Sequence, residues 1–348
     1  MKYKIALIGG ARPNFMKIAP LYRKFKDNEV NFIVISTGQH FDANMAGNFL
    51  DEFSIKINYN LKPNRVSTVS QIADIMVQLE RIFVKDEVSL VIVFGDVNST
   101  LAASIVANKL NIKLAHVEAG LRSRNYDMPE ENNRIVTDQL SDYLLASSDD
   151  AVDNLKEENL KGVVSLVGNI MIDNLVYFLP QIKDTSEDFY FCTLHRAENV
   201  DNKKVFVEIL DALEIISKDV KIYLPLHPRT KIMTKKFDLL HRFKNIFSLL
   251  EPLSYKQSLY YQKNAKLVLT DSGGIQEETT ILGVPCLTMR AETERPITVT
   301  DGTNIIGGTS KDSILRAYKK INYNNIASNI PLWDGKTAQR ILNILDIK

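Results

Sequence analysis

The chain has 348 residues, of which 45% are hydrophobic and 24% are charged, the balance of a soluble globular protein long enough for two domains. Its formal net charge of +1 argues against recruitment by nucleic acid or by an acidic membrane surface, so an anionic ligand must be held locally. The N-terminus leads directly into a strand and no apolar run has membrane-spanning length, which predicts a cytoplasmic protein. Cys192 and Cys286 lie in apolar strands without metal-ligand spacing, so we expect reduced core cysteines and no metal site.

Short apolar runs alternate with helix-like stretches along the whole chain. The predicted strands are Lys4–Ile8, Phe32–Ser36, Leu90–Phe94, Lys113–Val117, Phe189–Thr193, Lys221–Leu224, Ile246–Leu250, Leu267–Thr270 and Pro285–Met289. The predicted helices are Phe15–Lys26, Thr68–Phe83, Ser99–Lys109, Glu130–Ser141, Lys203–Ser217 and Tyr255–Gln262. Continuously apolar strands indicate parallel sheets covered on both faces. The alternation therefore predicts an α/β fold with two doubly wound, Rossmann-like domains.

A domain boundary is predicted between residues 167 and 168. The helix Ile170–Leu179 that follows ends at Pro180, and a polar stretch precedes another αβ series. The N-terminal α/β domain would then cover residues 1–167 and the C-terminal α/β domain residues 168–336.

Seven polar clusters follow predicted strands, at the sheet edge where open parallel sheets bind ligands. They are Gly10-Ala11-Arg12-Pro13, Thr37-Gly38-Gln39-His40, Gly95-Asp96, His116-Val117-Glu118, His195-Arg196, His227-Pro228-Arg229 and Asp271-Ser272. Because chance would rarely place so many ionisable residues there, the clusters predict a cleft lined by both domains.

Two familiar nucleotide motifs are missing from the sequence. No G-x-G-x-x-G follows the first strand, and the stretch 302–308 lacks the G-K-[ST] that completes a P-loop. A nicotinamide-dependent dehydrogenase and a P-loop kinase are therefore disfavoured, and we expect no cofactor.

The stretch DSGGIQEE, residues 271–278, predicts a phosphate site. Gly273 and Gly274 would let the backbone approach a ligand in a turn, and a helix from about Ile275 would direct free N–H groups at its charge. Glu278, about one turn further, could accept hydrogen bonds from sugar hydroxyls, so the pair of features suggests a nucleotide. The alternative is an ordinary strand-turn-helix connection with Ser272 as its N-cap.

Two basic residues lie near the start of the first helix. Arg12, in a Gly-Gly-Ala-Arg-Pro turn, suits bidentate binding of an oxyanion. Lys17 could bind phosphate, but a solvated helix charge is the default interpretation of a lone lysine.

Carboxylates of the N-terminal half lie after two predicted strands and at the start of a predicted helix. Asp96 is either a helix N-cap or catalytic, and Glu118 could form a buried ion pair with Arg122 or Arg124. Glu130 and its neighbour Glu131 lie in the first turn of a helix after Pro129, and their nearness in the chain to Glu118 favours a functional role. Three carboxylates in one cleft would raise at least one of their pKa values by mutual repulsion.

Histidines follow two predicted strands of the C-terminal half. His195 precedes Arg196 in TLHRAEN, which makes both candidate phosphate ligands. His227, in LPLHPRT, has a similar placement with less support from its neighbours.

Taken together, these motifs resemble the non-hydrolysing UDP-N-acetylglucosamine 2-epimerases, which have the two-domain GT-B fold. The matching blocks are GARPNFMK, TGQH, GDVNST, HVEAGLRS, MPEENNR, TLHRAEN, DSGGIQEE and TERP. The resemblance implies reversible C2 epimerisation of UDP-GlcNAc to UDP-ManNAc by elimination and re-addition of UDP through 2-acetamidoglucal. It also implies a role in cell-surface polysaccharide synthesis, a homodimer, and a last helix, 337–347, that returns to the N-terminal domain.

The resemblance also implies roles for individual residues. Those expected to hold the diphosphate region and ribose are Arg12, His195, Arg196, Ser272, Gly273, Gly274 and Glu278. Those expected around the sugar are Lys17, Asp96, Glu118, Glu130 and Arg134, with Arg295 of TERP near the same cleft.

Two positions depart from the family pattern. Asn14 replaces the glutamate of the usual GTRPE, and Asp42 stands where many bacterial members carry the glutamine that binds an activating UDP-GlcNAc. A carboxylate at position 42 should repel a second diphosphate, so we expect no such activation.

Other activities stay open at this point. Relatives that act on UDP-diacetamido-uronic acids share this kind of motif. A GT-B glycosyltransferase using a UDP-sugar would need an acceptor, a hydrolysing epimerase would release free ManNAc, and a UDP-sugar sensor would bind without turnover.

Overall fold

The computed structural model describes residues 4–38, 50–64, 66–323 and 330–347. Gln39, His40 and Asp42, singled out in the sequence, lie outside the described residues. Contacts divide the chain into two compact units, of which the first combines residues up to Asn174 with those from Pro331 onward. The second unit runs from Leu175 to Ile330. The predicted domain bounds stay a prediction.

The first unit is built on a seven-stranded parallel sheet. Its strand order is β3-β2-β1-β4-β5-β6-β7. The strands are β1 (Lys4–Gly9), β2 (Phe32–Ser36), β3 (Tyr59–Asn60), β4 (Val88–Phe94), β5 (Lys113–Ala119), β6 (Tyr143–Ala146) and β7 (Val163–Leu166). The helices of this unit are Arg12–Asp27, Thr68–Lys85, Asn98–Lys109, Pro129–Leu140, Asp149–Glu157 and Thr337–Ile344, and the helix Ile170–Phe178 begins in this unit and ends in the second. Leu7 of β1 and Val91 of β4 have no exposed surface, as expected for strands covered on both faces.

The second unit is built on a six-stranded parallel sheet with the order β10-β9-β8-β11-β12-β13. The strands are β8 (Phe189–Thr193), β9 (Lys221–Pro225), β10 (Phe247–Leu250), β11 (Leu267–Thr270), β12 (Cys286–Thr288) and β13 (Asn304–Ile306). Its helices are Ala197–Val200, Lys203–Ile216, Pro228–Lys236, Leu240–Ile246, Tyr255–Asn264, Gly273–Leu282, Ile297–Thr300 and Lys311–Tyr318, with a 3-10 turn at Leu179–Gln181. Fully buried phenylalanines such as Phe191 and Phe206 anchor the packing of helices on this sheet.

Both sheets reverse their strand order next to the first strand of the unit. After β1 the chain forms β2 on one side, whereas β4 pairs on the other side of β1. In the same way β8 is flanked by β9 and β11. Ligands of open α/β sheets bind at the carboxyl ends of the strands where the order reverses. The ends of β1, β4, β8 and β11 are therefore the places to search for a site.

The C-terminal helix Thr337–Ile344 is attached to the first unit by a buried carboxylate. Asp173 accepts hydrogen bonds from the backbone N–H of Thr337 at 3.0 Å and of Ala338 at 2.8 Å. These are two of the N–H groups that a helix leaves without an internal partner. Arg340 donates to the carbonyl of Val167 at 3.1 Å, which fixes the next turn.

Three predicted bounds of helices and strands are wrong. Ile246 closes a helix instead of opening a strand, and β10 begins at Phe247. The helix after β11 begins at Gly273, so both glycines are helical and the turn precedes them. Arg12 is the first helical residue and not part of a turn, because Pro13 suits the first helical turn.

Cys192 and Cys286 are buried free cysteines, as predicted. Burial raises the pKa of the Cys286 thiol to about 12, which makes it unreactive at neutral pH. Among the described residues, no helix combines the length and apolar character needed to cross a membrane.

Candidate functional site

Asn14 joins the ends of β1 and β4 where the first sheet reverses. Its buried side chain accepts from the backbone N–H of Gly10 at 3.2 Å and of Ala11 at 3.0 Å, and donates to the carbonyl of Phe94 at 2.9 Å. An ionised carboxylate could accept the first two hydrogen bonds but could not donate the third. The amide therefore suits this position, and it fixes the turn that leads into the exposed Arg12.

Glu118 lies in a bulge at the end of β5. β5 pairs with β6 at Val117 and again at Ala119, and Glu118 between them has a positive φ of 75°. A bulge re-aims the side chain, and positive φ is uncommon outside glycine. The carboxylate forms an ion pair with Lys17. Gly95, with φ of 63°, makes room for this pair, since a Cβ there would lie 2.9 Å from Nζ of Lys17.

Arg134 lies between two carboxylates. Its guanidinium donates to Asp96 and, at 2.5 Å, to Glu131. Glu131 is fully buried and also accepts from the backbone N–H of Ser123 at 3.0 Å and of Arg124 at 2.9 Å. Burial raises the pKa of Glu131, but these backbone N–H groups and Arg134 outweigh it and hold that pKa below its usual value.

Two alternatives considered for this region do not match the contacts. Val97, and not Asp96, occupies the N-cap of the helix Asn98–Lys109, and the Asp96 carboxylate contacts Arg134 instead. Arg122 and Arg124, the expected partners of Glu118, contact other carboxylates: Arg122 contacts Asp138 and Glu158, and Arg124 contacts Glu157. Glu130 is exposed in the first helical turn, one position before the buried Glu131.

A buried network of charged residues lies beside the end of β5. Asp138, without exposed surface, contacts Nδ1 of His116 at 2.6 Å and accepts from Arg122 at 2.8 Å. Arg122 also donates to Glu158 at 2.7 Å, and Nε2 of His116 lies 2.9 Å from the carbonyl of Gly95. Burial raises the pKa of Asp138, but His116 and Arg122 lower that pKa by more than burial raises it, so the net shift is downward.

In the second unit, Asp271 at the end of β11 is fully buried. Its carboxylate accepts hydrogen bonds from the backbone N–H of His195 at 2.9 Å and of Arg196 at 2.8 Å. These bonds hold the turn after β8 against the end of β11.

The imidazole rings of His195 and His227 face each other, with centroids 5.2 Å apart. His227 caps the helix Pro228–Lys236, where its Nδ1 accepts from the backbone N–H of Arg229 at 3.2 Å. The two histidines predicted as ligands are therefore neighbours, and one of them also has a structural role.

The start of the helix Gly273–Leu282 has the space that a bound anion needs. A Cβ at Gly273 or Gly274 would meet no atom within 4 Å, and neither residue has a positive φ. The fold itself therefore does not require glycine at either position, whereas a ligand bound against the backbone would require it. The hydroxyl of Ser272 makes no capping bond, and the buried Glu278 accepts from Gln262 at 2.8 Å.

Salt bridges order the loop that follows β12. Arg295 donates to Glu277 at 2.6 Å, on the same helix as the phosphate candidates. The buried Arg290 forms a bidentate pair with Glu294 at 2.8 and 2.9 Å and donates to Glu198 at 2.8 Å. Burial raises the pKa of Glu294, but Arg290 outweighs it and lowers that pKa to about 2.

Comparison with known proteins identifies the family of this chain. The family model for UDP-N-acetylglucosamine 2-epimerase matches residues 23–346. The chain belongs to the UDP-N-acetylglucosamine 2-epimerase family. A relative named UDP-N-acetylglucosamine 2-epimerase, from Methanocaldococcus jannaschii, is 38% identical over 98% of this chain and 98% of its own. A second relative, from Pseudomonas aeruginosa, is named UDP-2,3-diacetamido-2,3-dideoxy-D-glucuronate 2-epimerase and is 36% identical over 96% and 97% of the two chains.

A solved structure of a family member has the same architecture. The Methanocaldococcus jannaschii UDP-GlcNAc 2-epimerase, in complex with UDP-GlcNAc and UDP, has a TM-score of 0.85 at 36% identity, covering 99% of this chain and 100% of that one. The predicted family and the predicted fold class, α/β with two Rossmann-like units of GT-B type, are both confirmed.

Three residues that position the two candidate sites of this chain were not among the predicted site residues. Asn14 was noted only as a departure, Glu131 only as a neighbour of Glu130, and Asp271 only as part of a turn. Each is buried and polar, and each binds backbone N–H groups at the end of a parallel strand. A polar residue flanking an apolar strand was the available signal, but the sequence does not tell which of two neighbours faces inward.

We expect Asp138→Asn to destabilise the first unit. Removing one partner of a buried ion pair leaves an uncompensated charge and costs about 3–5 kcal/mol. Trp333, the only tryptophan of the chain, is buried in this unit, so its fluorescence during urea unfolding measures the loss. Because the pKa of Asp138 is lowered by folding, its stabilisation is present above the unfolded value of about 3.9 and is lost as the pH falls below it. The difference between the two proteins should therefore shrink below about pH 4.

Asp153→Asn is the matched control, since Asp153 forms only an exposed pair with Lys156 at 3.8 Å. An equal urea midpoint for Asp138→Asn and the wild type at pH 7 would contradict the assigned role.

Proposed function

We propose that the protein is a non-hydrolysing UDP-N-acetylglucosamine 2-epimerase that interconverts UDP-GlcNAc and UDP-ManNAc. The observation that carries this proposal is the relationship to a protein named for this activity over 98% of this chain and 98% of that relative, a length that requires both units to be aligned. The arrangement of charges at those sites supports the chemistry that C2 epimerisation requires.

The proton on C2 is not adjacent to a carbonyl, so direct deprotonation has no electron sink. Loss of UDP supplies one. A base removes the C2 proton, the C2–H electron pair forms a C1=C2 double bond, and the C1–O electron pair leaves with UDP. Protonation of C2 on the opposite face and return of the UDP oxygen to C1 then give the epimer. The reaction needs a clamp for the diphosphate and acid/base groups at C2.

We assign the diphosphate and ribose to residues of the second unit. The open backbone at Gly273 and Gly274 and the first N–H groups of that helix favour negative charge. His195 and Arg196 lie on the turn that Asp271 holds at the end of the neighbouring strand. These positions follow the residue types of the family motif, with Ser272, Glu278, His227 and Arg295 as further contacts.

We assign the chemistry at the sugar to residues of the first unit. Glu118 is directed by its bulge and held by Lys17, and Asp96 is held by Arg134. Carboxylates fixed in place suit proton transfer, because each must reach the reacting carbon with a defined direction. Glu130 remains in the proposal as a third acid/base candidate, and Arg12 as a contact to the diphosphate.

A second candidate substrate is a UDP-diacetamido-uronic acid. The Pseudomonas aeruginosa relative named for such a substrate is nearly as similar to this chain as the archaeal relative named for UDP-GlcNAc. The C2 chemistry would be the same, and only the substituents at C3 and C6 would differ.

We further propose that the product serves as a precursor of cell-surface polysaccharide and that the enzyme acts as a homodimer. An activated N-acetylmannosamine can be consumed by a glycosyltransferase or an oxidoreductase. Val69, Val77 and Val84 are exposed on one helix of the first unit and offer apolar surface for self-association.

The test of the proposed activity is an NMR time course of UDP-GlcNAc with the pure protein and no acceptor. We expect conversion to a mixture with UDP-ManNAc, and the same mixture from UDP-ManNAc. Release of free ManNAc would indicate a hydrolysing enzyme, and an unchanged spectrum that changes only with an acceptor would indicate a glycosyltransferase. UDP-2,3-diacetamido-uronic acid in a parallel sample separates the two substrates.

Asp96→Asn and Glu118→Gln serve as the controls for contaminating activity. Each should slow turnover about 10²–10⁴-fold, the scale of one acid/base group. Full turnover in one of them would remove that residue from the mechanism, and full turnover in both would point to a contaminant.

Ser272→Ala and Glu278→Ala should weaken UDP binding. Losing a hydrogen bond to a charged group costs about 1.5–3 kcal/mol, or about ten- to over a hundredfold in affinity. Because the hydroxyl of Ser272 makes no capping bond, its removal should leave the helix intact. Isothermal calorimetry with UDP measures both effects.

Two controls from the same unit match these changes. Ser254→Ala removes a real N-cap of another helix, and Glu292→Ala removes an exposed carboxylate. Unchanged UDP affinity in both Ser272→Ala and Glu278→Ala would refute the assigned nucleotide site.

A further inference from the structure

Asp271 cannot contact a ligand, because it has no exposed surface. One carboxylate oxygen, Oδ2, accepts from the backbone N–H of His195 and of Arg196 and lies 3.3 Å from Nδ2 of Asn199. Asn199 also donates to the carbonyl of Met289 at 2.9 Å. One oxygen thus ties the turn after β8 to the end of β11.

The other oxygen of Asp271 faces a single group. Oδ1 lies 3.2 Å from Nδ1 of His195, within ion-pair distance, and has no aligned hydrogen-bond partner among the described residues. A carboxylate can only accept, so an attractive contact requires hydrogen on Nδ1. The side chain of His195 is 34% exposed, and since Nδ1 faces the buried carboxylate, Nε2 is the nitrogen available to a ligand.

Asp271 remains ionised at neutral pH. Burial raises its pKa, but the contact with His195 and the backbone N–H groups of His195 and Arg196 outweigh burial and hold the pKa below its usual value. A full negative charge therefore lies beside the imidazole ring.

We propose that Asp271 is a positioning residue, which holds His195 with Nδ1–H toward the carboxylate and Nε2 toward the diphosphate of the substrate. The role in the reaction depends on the proposed function. As the C1–O bond breaks, its electron pair stays on the diphosphate oxygen. The ring must then carry hydrogen on both nitrogens, so that Nδ1–H faces Asp271 while a hydrogen bond from Nε2–H stabilises the charge. The proton remains on His195, and the same contact holds UDP for its return to C1.

Asp271→Asn separates this role from the support of the turn. The amide oxygen of asparagine can still accept from the backbone N–H groups of His195 and Arg196. Its NH₂ group would replace Oδ1 beside Nδ1 and, as a donor, would favour the ring with hydrogen on Nε2 and not on Nδ1. The turn is kept, and the orientation of the ring hydrogen changes.

Imidazole ¹⁵N NMR of the full chain tests the assignment directly. The chain has five histidines, and the spectrum of His195→Gln identifies the resonances of His195. We expect hydrogen on Nδ1 in the wild type and on both ring nitrogens once UDP is bound, and hydrogen on Nε2 alone in Asp271→Asn. The wild-type spectrum tests the proposal even if the Asp271 variant fails to fold.

Calorimetry with UDP supplies a second readout. Asp271→Asn should weaken UDP binding about tenfold, the effect of losing about 1.4 kcal/mol. If Asp271 acts through His195, the double variant Asp271→Asn/His195→Gln should bind UDP no more weakly than His195→Gln alone. Asp188→Asn is the matched control, since this carboxylate forms an exposed pair with Lys266 at 2.6 Å next to the start of β8.

Two outcomes would overturn the proposal. One is hydrogen on Nε2 and none on Nδ1 in the wild type, and the other is additive losses of UDP affinity in the double variant. Neither readout requires turnover, so failure of this proposal is distinguishable from failure of the epimerase assignment, which the acceptor-free time course decides.

Discussion

Both candidate sites depend on a buried carboxylate that binds backbone N–H groups and a functional side chain. Glu131 fixes the backbone of Ser123 and Arg124 and contacts Arg134, which in turn contacts Asp96. Asp271 fixes the backbone of the turn after β8 and contacts the ring of His195. In each unit one ionised oxygen acceptor therefore sets both a loop and a side chain.

The physical reason lies in the loops after parallel strands. Such loops have little apolar surface to bury, so packing alone does not fix them. A carboxylate can accept several hydrogen bonds at once, and its ionisation makes each of them stronger than a neutral bond. Leaving such a carboxylate buried without its partners costs several kcal/mol, so the loop and the side chain that contact it are held in place together. Side chains held in this way have the fixed directions that proton transfer and diphosphate binding require.

Much of the fold could be predicted because its strands are continuously apolar and its helices begin at recognisable residues. The predicted strands Phe32–Ser36, Phe189–Thr193 and Leu267–Thr270 agree with the observed bounds. The strand predicted at Pro285–Met289 contains β12, whereas the short strands β3 and β13 carry only two or three residues each, which is too little for a periodic pattern. Ile246 shows the same limit, since an apolar residue between a helix and a strand fits either one.

The candidate site was predictable in its residue types but not in its geometry. Motif residues such as Asp96, Glu118 and His195 follow predicted apolar strands, which made them visible in the sequence. The bulge at Glu118 depends on the register between β5 and β6, a long-range property. The same holds for the choice of Glu131 over Glu130 as the buried carboxylate, because tertiary packing decides which helical neighbour faces inward.

We propose that C2 is epimerised through elimination and re-addition of UDP, with acid/base groups of the first unit exchanging the C2 proton. Turnover of UDP-GlcNAc in D₂O, followed by NMR, tests this most directly. Inversion requires proton removal on one face and delivery on the other, so solvent should supply the returning proton. UDP-ManNAc should then carry deuterium at C2, and prolonged incubation should label the recovered UDP-GlcNAc as well. UDP-ManNAc that forms without deuterium at C2 would contradict the mechanism.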